Sequence, residues 1–450
     1  MPLVVLVSSM LAVILLIARL RVHAVLALFL GALFVALFSP GVPLADAASA
    51  TATEFGVVCG RIGIVIALAS VIGFALQHSG GAARISQAFL SLTGERRAHM
   101  SLWASGYVLS VPVFFDTVFF LMAPIIRAMY RRTGHNYPLY LCATLAGGAA
   151  THVFVPPTPG PLAMGATLGV DLGLLIIMGS VVALGGSMAG VAYGHWINRR
   201  WDGGNPLATV DATVDAEPAA DLSRAPSTGY AFLPVVLPVV LIASRTILTT
   251  LELQFPGAEL VAFLGDPNTA LLLSAVLALD MARRTRGMTM SDLGTFSEGA
   301  LATAGTIILI TAAGGAYGAM LTRAGAGASL ADVADAMHLP LLLLAYLMAA
   351  LLKVAQGSST VAMITTASVL QGIYASGMSG LPHPVYATLA ISGGSLVVSW
   401  MNDSGFWVIS RMARLSERDT FRLWTPVAAI TGTVGFLIVV VLSWLVPLRP

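Results

Sequence analysis

The chain has 450 residues, of which 57% are hydrophobic and only 10% charged, with a mean hydropathy of +0.88. A soluble domain carries roughly 25% charged residues, so this composition excludes an ordinary soluble enzyme and specifies a polytopic α-helical membrane protein, with apolar blocks near spanning length recurring throughout. The net charge of +2, from 23 basic and 21 acidic residues, argues against a nucleic-acid partner. Cys59 and Cys142 both fall in apolar blocks, so neither a disulfide framework nor a metal site is expected.

Helices are placed by apolar length and oriented by arginine and lysine in short loops. The opening "MPLVVLVSSMLAVILLIARL" lacks the basic start of a cleaved leader and is read as a retained first span over about residues 4–18. It ends at Arg19 and Arg21, which mark the cytoplasm. A second helix over 24–38 goes out, and a third over 55–76 returns to the basic stretch that holds Arg84, Arg96 and Arg97. Residues 102–126 contain "VPVFFDTVFF" and are followed by Arg127, Arg131 and Arg132. Basic clusters on both flanks predict a re-entrant hairpin whose tip lies at Pro112, where helical hydrogen bonding breaks. Such backbone survives at membrane depth only against protein or a wet cavity.

The next helix starts near Tyr137, is interrupted at "VPPTPGP" (155–161) and resumes to about 168; another over 172–196 comes back to Arg199 and Arg200. Residues 199–228, rich in Pro, Gly and acidic residues, read as a flexible cytoplasmic linker between a first half, 1–198, and a second, 229–450. In the second half, helices are expected over 231–248, 271–281 and 301–321, with Glu252, Glu259 and Asp266 on an outer loop. The block 339–370 holds "KVAQGSSTVAM" and reads as a second hairpin, entering from outside. A helix over 387–409, interrupted at "NDSG", meets Arg411, Arg414, Arg418 and Arg422, and a last one over 426–445 goes out. Both termini are thereby expected on the external side.

Three pairs of positions share one offset between the halves: Gly81 with Gly327, Gly147 with Gly393, and Thr158 with Ser404. Each half then has three spanning helices, a re-entrant hairpin and two spanning helices, one of them broken. An odd number of spans per half makes the second repeat inverted, as in many secondary transporters.

The four interruptions, 112–117, 156–161, 356–360 and 402–405, are expected to converge near the bilayer midplane. Broken helices leave free N–H groups with partial positive charge, which suits a carboxylate ligand. The side chains of Thr117, Thr158, Gln356, Ser358, Ser359, Thr360, Asn402 and Ser404 offer hydrogen bonds to substrate hydroxyls. Gly160 and Gly357 belong to the same interruptions, and Phe115 walls the pocket. A lone ionised carboxylate in the bilayer costs about 3 kcal/mol or more. Asp116 and Asp403 are therefore read as proton- or substrate-handling groups, against the alternative of caps on broken backbone. His152, one turn before Pro156, is a third candidate for proton coupling, against a core role. Arg61 is read as snorkelling to the interface. Lys353 either attracts an anion or pairs with an acid. Trp103, Trp196, Trp201, Trp407, Trp424 and Trp444 are assigned mostly to interface belts in contact with lipid. No phosphate loop, metal-protease spacing or serine–histidine–acid set is found, so neither ATP coupling nor an enzyme is expected.

The stretches "VPVFFDTVFFLMAPI", "HVFVPPTPGPLAMGATLGVDLG", "KVAQGSSTVAMITTA" and "SWMNDSGFWVISR" together resemble the gluconate permease (GntP) family, in order and over nearly the whole chain. The resemblance implies an inner-membrane permease of the ion-transporter superfamily. Such a carrier forms a homodimer, needs no prosthetic group, and moves gluconate, a related sugar acid or D-serine together with protons, sodium being the alternative ion. Many gluconate-type members have Glu-Val-Gly after the paired phenylalanines. Here Asp116, Thr117 and Val118 stand instead, a change that bears on substrate and coupling. A passive channel is the rival reading, since broken helices also build pores.

Overall fold

The computed structural model describes residues 2–40, 42–94, 97–201, 225–251, 256–326, 340–376, 380–401 and 403–448, and these contain helices and no strand. The first half holds α1 (Pro2–Ile14), α2 (Ala24–Leu37), α3 (Ala47–His78), α4 (Gly81–Thr93), α5 (Ala98–Leu109), α6 (Phe115–Thr133), α7 (Tyr137–Phe154), α8 (Pro159–Leu168) and α9 (Leu172–Arg199). The second holds α10 (Thr228–Thr250), α11 (Ala258–Leu264), α12 (Pro267–Arg286), α13 (Met290–Arg323), α14 (Leu341–Gln356), α15 (Ser359–Ala375), α16 (Pro384–Gly394), α17 (Ser404–Met412) and α18 (Glu417–Leu445).

Among the described residues, five segments are long and apolar enough to cross a membrane: α7 with α8, α9, α10, α13 and α18. Two bent pairs raise the number to seven, one of them α11 with α12, which meet at 65°. Helices α1, α2 and α14 are apolar but shorter. Leu233, Val236 and Val240 of α10 and Leu437 and Val441 of α18 are large, apolar and exposed, which suits surfaces in hydrocarbon rather than water.

Local chemistry explains where the helices start beyond their apolar runs. Thr289 and Asp292 form a reciprocal capping box, so α13 begins at Met290 rather than near 301. Ser416 accepts from the N–H of Asp419, so α18 begins at Glu417 and carries Pro426 inside it. The basic connection expected after the third helix contains a further amphipathic helix, α4, which buries Ala82, Ile85 and Ser86. Glu259 lies on the short helix α11 rather than in a loop.

Among the described residues, helical hydrogen bonding breaks at 110–114 before α6, at 155–158 before α8, at Gly357 and Ser358 before α15, and at 395–401 before α17. The packing around them is reciprocal. Helix α5 lies on α7 and α14 lies on α16, while α8 packs on α15 and α6 on α17. Small residues allow these approaches. A Cβ on Gly147 would fall 2.4 Å from the carbonyl oxygen of Trp103, and one on Gly394 would fall 2.1 Å from that of Tyr346.

A candidate substrate cavity at the broken helices

A cavity of about 470 Å³ opens where the broken helices meet α13 and α18. Its polar wall holds Asp116, His152, Ser358, Ser359, Thr360 and Asp403; its apolar wall holds Phe114, Phe115, Ile307, Ile310, Leu396 and Trp424. Four helix N-termini contribute residues to this lining, α8 through Pro159. Helix α6 follows Phe114, whose side chain cannot cap it, so its first turn presents backbone N–H groups without intrahelical acceptors. Gly357, which adopts φ +89°, ends α14, and α15 is capped by Ser358, whose Oγ accepts from Val361 N at 3.3 Å. Helix α17 is capped by Asp403, whose Oδ1 accepts from Gly405 N at 3.0 Å.

The charged groups form a connected set. Lys353 Nζ donates to Asp403 Oδ2 at 2.8 Å, with the two side chains 2% and 12% exposed. The same ammonium donates to the carbonyl of Gly357, and Ser399 Oγ donates to Asp403 Oδ2. Lys353 is thus paired with an acid. The extra hydrogen bonds matter, because a buried ion pair offsets its desolvation only when its remaining donors and acceptors are satisfied. Asp403 ties the break before α17 to the turn between α14 and α15. Asp116 comes to the same place from α6. A Cβ on Gly405 would lie 3.6 Å from Asp116 Oδ1 and 3.5 Å from Asp403 Oδ1, so the two carboxylates converge across one glycine.

The apolar wall has its own order. The Phe115 ring stacks on Trp424, with centroids 5.2 Å apart and planes 17° from parallel, and lies 6.5 Å from the His152 ring. Trp424 is 3% exposed, which corrects its assignment to an interface belt: the early start of α18 places it against the core instead. Trp196 and Trp444, 47% and 80% exposed, do have accessible rings.

Other residues singled out in the sequence fall elsewhere. Thr117 lines a second, smaller cavity of about 220 Å³ on the far side of the 110–114 break, together with Gln77 and His78. Thr158 is buried and donates to the carbonyl of Val155 at 2.7 Å. Gly160 makes room for Met363, whose Cε lies 2.1 Å from where its Cβ would be, and so seats α8 on α15. Arg61 is exposed and reaches the carbonyl of Ala166 at 3.4 Å. Asn402 and the side chains of Gln356 and Ser404 lie outside the described residues. Among the described residues no group of three or more His, Cys, Asp or Glu side chains is arranged to hold a metal.

The model of the family described as GntP family permease matches residues 1–445. The chain is 32% identical to the gluconate permease of Pseudomonas aeruginosa, over 97% of this chain and 96% of that protein. It is 32% identical to the inner membrane permease YgbN of Escherichia coli K12 and 30% identical to the low-affinity gluconate transporter of the same organism, each time over 96% of both chains. Its fold resembles that of the Alcanivorax borkumensis YdaH transporter, with a TM-score of 0.65 and 14% identity over 89% of each chain. These relatives are permeases and transporters rather than enzymes, and the chain belongs with them as a multi-span transport protein of the GntP permease family.

Proposed function

We propose that this permease takes up gluconate or a closely related sugar acid across the inner membrane, in symport with a proton and by alternating access. The observation that carries this reading is the convergence of Asp116 and the Lys353–Asp403 pair on one cavity lined from four helix N-termini. Helix ends stabilise an entering carboxylate, and Ser358, Ser359 and Thr360 offer bonds to hydroxyls. An entering anion meets the carboxylates of Asp116 and Asp403 in that lining. A proton taken up by Asp116, in a wall that also holds His152, removes its repulsion of that anion and links the two fluxes.

Two further proposals concern architecture. Helices α5–α6 and α14–α15 act as re-entrant hairpins from opposite sides, and the halves are inverted repeats. The reciprocal packing of α6 on α17 and α8 on α15 supports this, because inverted repeats related by a pseudo-twofold axis exchange such contacts in pairs. In reconstituted liposomes, an inward proton gradient should drive accumulation of labelled gluconate, and a protonophore should abolish it. Accumulation that survives the protonophore and requires sodium would overturn the proton assignment. Uptake of D-serine but not of gluconate would overturn the substrate.

A further inference from the structure

Trp424 and His152 share an oddity. Trp424 Nε1 and His152 Nδ1 are buried and lack a hydrogen-bond partner among the described residues. Buried polar atoms are nearly always satisfied, so orphans call for a missing partner such as water or a ligand. Both side chains wall the same cavity; the Phe115 ring stacks on Trp424 and lies 6.5 Å from the His152 ring, tilted by 41°. The shelf is firmly seated: a Cβ on Gly148 would lie 3.3 Å from Phe115 Cδ2, so the ring rests close on the α7 backbone.

We propose that Phe115 and Trp424 form a shelf that selects substrate by chain length. The C–H face of a six-carbon hydroxy acid lies along the stacked rings. Hydroxyls remote from its carboxylate supply the partners that Trp424 Nε1 and His152 Nδ1 lack. The inference rests on the sugar-acid reading and deepens it. Its first support is the make-up of the lining, which joins the carboxylates and helix ends at Asp116 and Asp403 to the rings of Phe115 and Trp424. A substrate whose carboxylate is held near Asp116 lies beside Phe115, the next residue in the chain, and so meets the stacked rings. Its second support is size. At ~30 Å³ per water, a cavity of about 470 Å³ takes on the order of fifteen waters, room for a six-carbon acid and far more than a three-carbon one occupies. Its third support is chemistry: indole offers an apolar face and a single N–H donor, which together match alternating C–H and O–H groups.

The test compares gluconate with glycerate, a three-carbon hydroxy acid, in liposomes holding wild type, Trp424→Leu or Trp424→Phe. Trp424→Leu should raise the half-saturation concentration for gluconate about tenfold or more and that for glycerate by less than about threefold, in line with the worth of one apolar contact in a binding pocket. Trp424→Phe keeps the stack, loses the N–H and should fall between. A purely structural tryptophan would weaken both acids alike, and that result overturns the proposal. If Trp424→Leu shows no cooperative melting in detergent, Phe115→Leu and Trp424→Phe carry the same comparison, and an unchanged gluconate-to-glycerate ratio in both overturns it equally. Wild type that transports neither acid would instead overturn the sugar-acid reading, and this proposal with it.

Discussion

The two turns that meet at the cavity are closed by different physics. Between α14 and α15 helical hydrogen bonding lapses only at Gly357 and Ser358, and polar contacts hold the turn. Gly357 takes the left-handed conformation, Ser358 caps α15, and Lys353 bonds both the Gly357 carbonyl and Asp403. Between α5 and α6 the break takes five residues and ends at a phenylalanine that cannot cap. Apolar burial holds it: Val113 is 2% exposed, and the Pro112 carbonyl presses on Gly73, where a Cβ would lie 2.5 Å away. One turn is pinned by charge and hydrogen bonds; the other is wedged by packing and carries a carboxylate in its first turn. The contrast sets a turn held by polar contacts, beside Asp403, against one held by packing, beside Asp116.

The largest effect that would break this division comes from Asp116→Asn. Accumulation driven by a proton gradient should fall to background while counterflow exchange of substrate persists. Paired pH-jump and counterflow assays check this, and undiminished accumulation would move the proton to Asp403 or His152. Next comes Lys353→Met, which leaves Asp403 buried without its cation and should cost about 3–5 kcal/mol. Lower folded yield and melting temperature would register it, and Lys353→Met combined with Asp403→Asn should recover part of the loss. Gly73→Ala sharpens the comparison from the packed side, since its new methyl must displace the Pro112 carbonyl. A penalty of about 1–3 kcal/mol is expected, and melting in detergent with and without gluconate shows whether binding suffers as well. The smallest effect belongs to Ser358→Ala, which removes one cap from a turn with other ties. About 1 kcal/mol of stability should go, read as a slight fall in melting temperature together with a modest rise in the half-saturation concentration for gluconate.

Much of this was legible along the chain. Pro112, Pro156 and Gly357 mark breaks because each interrupts helical geometry through its own backbone, whatever surrounds it. Asp116 and Asp403 were conspicuous because a carboxylate in an apolar run is costly. Trp424 was misread because hydropathy cannot tell a ring at the lipid boundary from one turned inward; that depends on the Ser416 cap lengthening α18 and on what α18 packs against. The pairing of Lys353 left two readings open in sequence, and only the distance to Asp403 separates them.

Composition and local periodicity by themselves determined a helical, multi-span membrane protein and the positions of its broken helices. These follow from transfer free energies and backbone constraints that act over a few neighbouring residues. Tertiary structure alone decided that Lys353 and Asp403 share a bond, that two carboxylates meet across Gly405 and that Phe115 lies on Trp424. Each of those contacts joins residues far apart in the chain, and their energies depend on distance through space rather than on spacing in sequence.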